Sequence, residues 1–140
     1  MKLLDKLLHV IFAAAALVMT PIVLAAGLEG YDPVSYFAGD KPVKGSEQFV
    51  LQHQGETYLF SSADNRERFA ATPDRYLPQY GGQCAWAVAQ GKLAPGNASV
   101  YKVVEGKLYL NFNQSVASRW EKDVSGNIRA ADDNWPKVKK

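Results

Sequence analysis

Cys84 is the single cysteine of this 140-residue chain, and His53 is one of its two histidines. Thiolate and imidazole are the side chains best suited to act as nucleophile, proton carrier or soft-metal ligand, so any chemistry here begins with them. Cys84 stands two residues beyond Gly81-Gly82, at or near the first turn of an expected helix. Unpaired N–H groups at such a start bring partial positive charge to the sulfur and favour thiolate over thiol. Ala85, Trp86, Ala87 and Val88 follow at once, and in that company a cysteine also reads as a small core residue with no chemistry. His53 sits near a hairpin tip beside Gln54-Gly55, where a metal ligand, a proton carrier and a hydrogen-bonded surface residue are all open readings. One Cys and one His fall short of the four ligands of a closed zinc site, so carboxylates, tyrosines or a partner chain would have to complete it.

Other catalytic patterns are absent. No CxxC, HExxH or GxSxG occurs, and Gly81-Gly82 alone does not make a phosphate-cradling loop. The seven tyrosines and three tryptophans read as core and rim packing, with an aromatic ligand cleft as the alternative.

The elements that must position these residues follow from periodicity and caps. Asp32-Pro33 suits a cap and first turn, turning Tyr36 and Phe37 onto the domain. Period-two alternation from Phe49, a turn at Gln54-Gly55-Glu56 and a return through Thr57–Phe60 predict a β-hairpin. A second hairpin is expected over Ser99–Val104 and Leu108–Phe112, and the two together suggest a four-stranded antiparallel sheet. Between them Ser61-Ser62 opens a helix closed by Pro73, and Cys84–Ala89 forms an apolar helix ended by Gly91. Asn113 caps Gln114–Asp123, and Asn127–Trp135 forms a last short helix. The expected fold class is α+β, a small antiparallel sheet built from two hairpins with short helices packed on it. No internal repeat or linker is expected.

Residues 1–25 read as a cleavable secretory signal peptide. Lys2 and Lys6 precede an apolar run over Leu7–Leu24, and Val23-Leu24-Ala25 suits cleavage before Ala26. An uncleaved anchor is the alternative. The remainder, 26–140, is expected to be a single domain, periplasmic or secreted and close to neutral, with no basic field for nucleic acid. In an oxidising compartment a lone thiol cannot form an internal disulfide, so Cys84 is buried, liganded, reactive or paired with another molecule.

Tyr31-Asp32-Pro33-Val34, then His53–Ser62, then Phe69 and Pro73–Tyr76 resemble in order and spacing the YHS domain. Gln79–Ala85 and Asn134-Trp135-Pro136 are similar to an exported bacterial branch, in which the position of Cys84 is sometimes selenocysteine. The resemblance implies a small α+β module linked to transition-metal handling. The positions where it places metal-type cysteines hold Ser35, Ser61 and Asn65 here, leaving His53 and Cys84 as soft ligands.

Three functions are open, in this order: an exported YHS-like binding module holding a soft transition metal such as copper through Cys84 and His53; a structural or partner-binding domain with Cys84 buried; and a single-cysteine redox protein. An enzyme is the less favoured class, no catalytic residue is assigned, and a metal ion or periplasmic protein is the expected partner.

Overall fold

Asp32 accepts a hydrogen bond from the Val34 amide at 2.9 Å, and Pro33 at the first position fixes the following turn, so Pro33–Phe37 is a short 3-10 helix as its sequence predicts. The structure, a computed structural model, describes residues 26–139; the expected signal peptide lies outside the described residues. Gly27–Gly30 precedes this helix as a tight turn. The first hairpin pairs β1 (Ser46–His53) with β2 (Glu56–Phe60), followed by α1 (Ala63–Ala71) and the single turn α2 (Pro73–Tyr76). A tight turn at Gln79–Gly82 leads to α3 (Ala85–Ala89). The second hairpin pairs β3 (Asn97–Val104) with β4 (Lys107–Asn111), and α4 (Gln114–Trp120) and α5 (Val124–Val138) complete the chain. The architecture is α+β: two small antiparallel sheets with several short helices. No described helix is long and apolar enough to cross a membrane.

The hairpins do not join into one four-stranded sheet. One outer edge of each is met by another segment: Ala26 bridges Thr57 of β2, and Pro78 bridges Leu108 of β4. A strand edge met by another segment of chain cannot accept a neighbouring hairpin there. The last helix is also longer than Asn127–Trp135, because Asp123 accepts from the Gly126 amide and starts it at Val124.

The absence of a repeat is likewise overturned. Everything from Gly27 to Ala71 recurs, offset by about 51 positions, from Gln79 to Trp120. Leu28 and Glu29 are left-handed in the first turn, and Tyr80 and Gly81 are left-handed in the second. Tyr31 N–H donates to Leu28 O and Gln83 N–H to Tyr80 O, each at 3.0 Å. Asp32 N–H donates to Val43 O, as Cys84 N–H does to Ala94 O. Both hairpins carry a register irregularity at the same place and turn through a left-handed residue followed by glycine, Gln54-Gly55 and Glu105-Gly106. Ser62 and Asn113 cap the helices that follow. Phe69 and Trp120, both fully buried, pack on Tyr58 and Tyr109 with ring centroids 5.2 and 5.5 Å apart.

Two successive units therefore each have their own core. Val34, Tyr58, Phe60, Phe69 and Tyr76 fill the first; Ala85, Val88, Tyr109 and Trp120 belong to the second. Tyr36 of the first unit packs with Leu108 and Leu110 of the second and donates its hydroxyl to Ala98 O at 2.7 Å. The matching part of the second unit, around Tyr80 and Val88, is covered by α5. Tyr80 donates to Asp132 at 2.8 Å, Trp135 packs on the Tyr80 ring, and Asn134 donates to the Val88 and Ala89 carbonyls. The C-terminal helix closes the pair in the way a capping element closes a repeat array.

Candidate functional site

Cys84 stands at the start of α3 with 1% of its surface exposed. Its backbone N–H is fixed by Ala94 O at 2.7 Å, which directs the side chain into the core. There the thiol donates to Asn111 Oδ1 at 3.5 Å. The same oxygen accepts the Trp86 amide at 3.0 Å, so Asn111, itself buried in β4, satisfies one of the orphan N–H groups at the helix start. Cys84 provides no side-chain cap of its own. The sulfur is thus a buried hydrogen-bond donor.

His53 ends β1 and faces Glu56 across the hairpin. Its ring lies edge-to-face on Phe69, with centroids 5.8 Å apart, and its Nε2 is buried without a hydrogen-bond partner. It belongs to the first unit and Cys84 to the second, and the two share no hydrogen-bond or ring partner. Among the described residues no group of three His, Cys, Asp or Glu side chains is gathered where it could hold a metal ion.

A different cluster is assembled, around a residue that the sequence marks only as a helix cap. Asp32 is fully buried, and its carboxylate accepts four hydrogen bonds: the Val34 amide on Oδ1, and the Ser61 amide, Ser61 hydroxyl and Asn65 amide nitrogen on Oδ2, all within 2.7–2.9 Å. Ser35 donates its hydroxyl to Asp32 O at 2.6 Å and accepts from the Val43 amide. Ser35, Ser61 and Asn65, the three positions at which the resemblance places metal cysteines, therefore do converge. Ser61 and Asn65 do so as donors to the Asp32 carboxylate, and Ser35 as a donor to the Asp32 backbone carbonyl. That set does not fit a transition-metal ion, which requires deprotonated ligands with free lone pairs.

A concavity lies at the seam of the two units. A cleft of about 320 Å³ is lined by Glu29, Glu56 and Tyr58 of the first unit and by Gly81, Gly82 and Gly96 of the second. An adjoining hollow of about 230 Å³, sharing Glu56, Tyr58 and Gly81, has His53 in its wall. Glu29 is held by the Ala98 amide, which donates to Oε2 at 2.8 Å. Burial first, and the neighbouring Glu56 charge second, push the Tyr58 hydroxyl above its ordinary pKa, so it stays a neutral donor there. The seam is not legible in the sequence because it depends on contacts between the two units, and the role of Asn111 is not because its partners Cys84 and Trp86 lie 27 and 25 positions away.

Compared with models of known protein families, with curated proteins and with solved structures, the chain finds no match.

Proposed function

We propose that the protein is an exported small binding module in which Cys84 is a structural thiol and the ligand or partner is received at the seam between the two units. The observation that carries this reading is the burial of Cys84 with its sulfur hydrogen-bonded to Asn111. A metal or an oxidant reaches only a thiolate it can touch, and this thiol faces the core. Cys84 also lines neither the seam cleft nor the adjoining hollow. Clefts at the junction of packed units are where ligands are most often bound, and this one joins carboxylates and a tyrosine hydroxyl to an open glycine wall. Export is carried by the charged and apolar pattern of residues 1–25.

Thiol labelling across a denaturant series tests the role of Cys84. The expected result is no reaction with a thiol reagent in the native protein and full reaction through the unfolding transition. Anaerobic Cu(I) titration is the companion measurement, with equal affinity expected for wild type and Cys84→Ser. Tighter binding by the wild type would overturn the structural reading and restore the soft-metal one.

A further inference from the structure

We infer that the chain is a duplicated unit in which Cys84 and Asn111 together replace, in the second copy, the hydrogen-bonding node that Asp32 forms in the first. The inference rests on the reading of Cys84 as structural and assigns it a partner and a task. Asp32 and Cys84 occupy the same point of the two units. Each follows a tight left-handed turn, each has its N–H on a carbonyl of the following loop, each is the residue before a short helix, and each is buried.

The surroundings differ in a concerted way. In the first unit the acceptor for the amide two residues on, Val34 N–H, is the Asp32 carboxylate itself. In the second unit the equivalent amide, Trp86 N–H, is accepted by the side chain of Asn111, at the strand position held by Phe60 in the first. Ser61 and Asn65, whose side chains donate to Asp32, correspond to Phe112 and Val116, which have no side-chain donor. A carboxylate in the second site would lose two of its four hydrogen bonds, and a buried charge so deprived is costly. A thiol needs no such set. It supplies one weak donor, and that donor falls on Asn111 Oδ1. The Cys84 S–H thus adds a second, weaker donor to the Asn111 oxygen that accepts the Trp86 N–H.

The test is exchange of the Trp86 amide hydrogen in the intact protein, read by NMR with the thermal midpoint alongside. Asn111→Ala is expected to speed that exchange by about tenfold or more, the loss of one buried hydrogen bond. Cys84→Asp placed on Asn111→Ala is expected to restore protection, since the carboxylate then takes the Trp86 N–H as Asp32 takes Val34 N–H. Cys84→Ala on the same background is expected to restore nothing. Where the buried charge prevents folding, Cys84→Asn offers an oxygen at the same point without it and must restore protection instead. Trp86 exchange as fast with an oxygen at position 84 as with alanine overturns the inference. Thiol labelling separates this from the functional reading: a native-state-reactive Cys84 with successful rescue removes the reading and leaves the equivalence standing.

Discussion

Asp32 and Cys84 hold the same place in two halves of one chain, one as a carboxylate with four donors and the other as a thiol with a single acceptor. The first is a node that ties a helix start to a strand end and to α1. The second delegates most of that work to Asn111.

Loss of the Asp32 carboxylate is the most damaging change expected at the node. Asp32→Ala takes the acceptor from the buried Val34 amide and from the half-buried Ser61 amide, Ser61 hydroxyl and Asn65 side chain, of which Asn65 keeps only its longer bond to Ser61 Oγ. The charge goes with the side chain and neutral donors remain, so the cost is that of unsatisfied buried donors, about 1–3 kcal/mol. Urea unfolding at neutral pH checks it. A cost below about 1 kcal/mol would mean that water replaces the carboxylate and that the node is not closed.

His53 is expected to be dispensable for stability. Its Nε2 is buried without a partner, and the equivalent residue of the second unit is Val104, packed against that unit's core. A buried unpaired nitrogen costs about 1–3 kcal/mol, which offsets much of what the ring gains against Phe69. His53→Val is therefore expected to be as stable as wild type or more stable by up to about 1 kcal/mol. A loss of 2 kcal/mol or more, on the order of a cavity cost, would show that the nitrogen has a partner in solution.

What the sequence made legible was local. Asp32, Ser62 and Asn113 were readable as caps because a side-chain oxygen needs only the amide two or three residues on. Gln54-Gly55 and Glu105-Gly106 were readable as hairpin turns for the same reason. The repeat was not readable, because what recurs is geometry while few residues coincide: Gly30 with Gly82, Gly39 with Gly91, Gly45 with Gly96, Gly55 with Gly106, Arg68 with Arg119, and the Tyr-Leu pairs Tyr58-Leu59 and Tyr109-Leu110. The Asp32 node escaped because its donors come from Ser61 and Asn65, 29 and 33 positions away. The sequence position of Cys84, at a helix start but followed by Ala85-Trp86-Ala87-Val88, suits chemistry and core equally. The carbonyl that turns it inward, Ala94 O, lies across a loop.

Gly45 and Gly96 carry a prediction of their own. Neither has a left-handed backbone; they are glycines because space is lacking. A Cβ on Gly45 would collide with the Leu59 backbone, and one on Gly96 with the Gly82 carbonyl oxygen and Leu110 Cβ. Their N–H groups donate to Gly30 O and Gly82 O, at 2.7 and 3.0 Å, holding each turn against its hairpin. Gly45→Ala and Gly96→Ala are each expected to cost about 1–3 kcal/mol, as overpacking does. The two thermal shifts should be similar, and a large effect at one with none at the other would argue against equivalent units.

The tyrosines set the alkaline limit of the fold. Burial is the largest cause raising the Tyr36 and Tyr80 hydroxyls well above their ordinary value of 10.0; Tyr31 and Glu29 add to it for Tyr36, and the hydrogen bond to Asp132 adds to it for Tyr80. The folded state therefore holds these protons where the unfolded chain releases them. The stabilisation is fully present below about pH 10, the unfolded value, and is lost as pH rises from there toward the folded values. Stability measured by urea is expected to be flat between pH 8 and about 9.5 as far as these groups are concerned, and to fall steeply above 10. Tyr58 and Tyr109 are raised by burial as well, so Tyr80→Phe removes one of four such groups and should lessen that fall, while it also frees Asp132 and so lowers stability at neutral pH. An alkaline limb of unchanged slope in both Tyr80→Phe and Tyr36→Phe would place the responsible protons elsewhere.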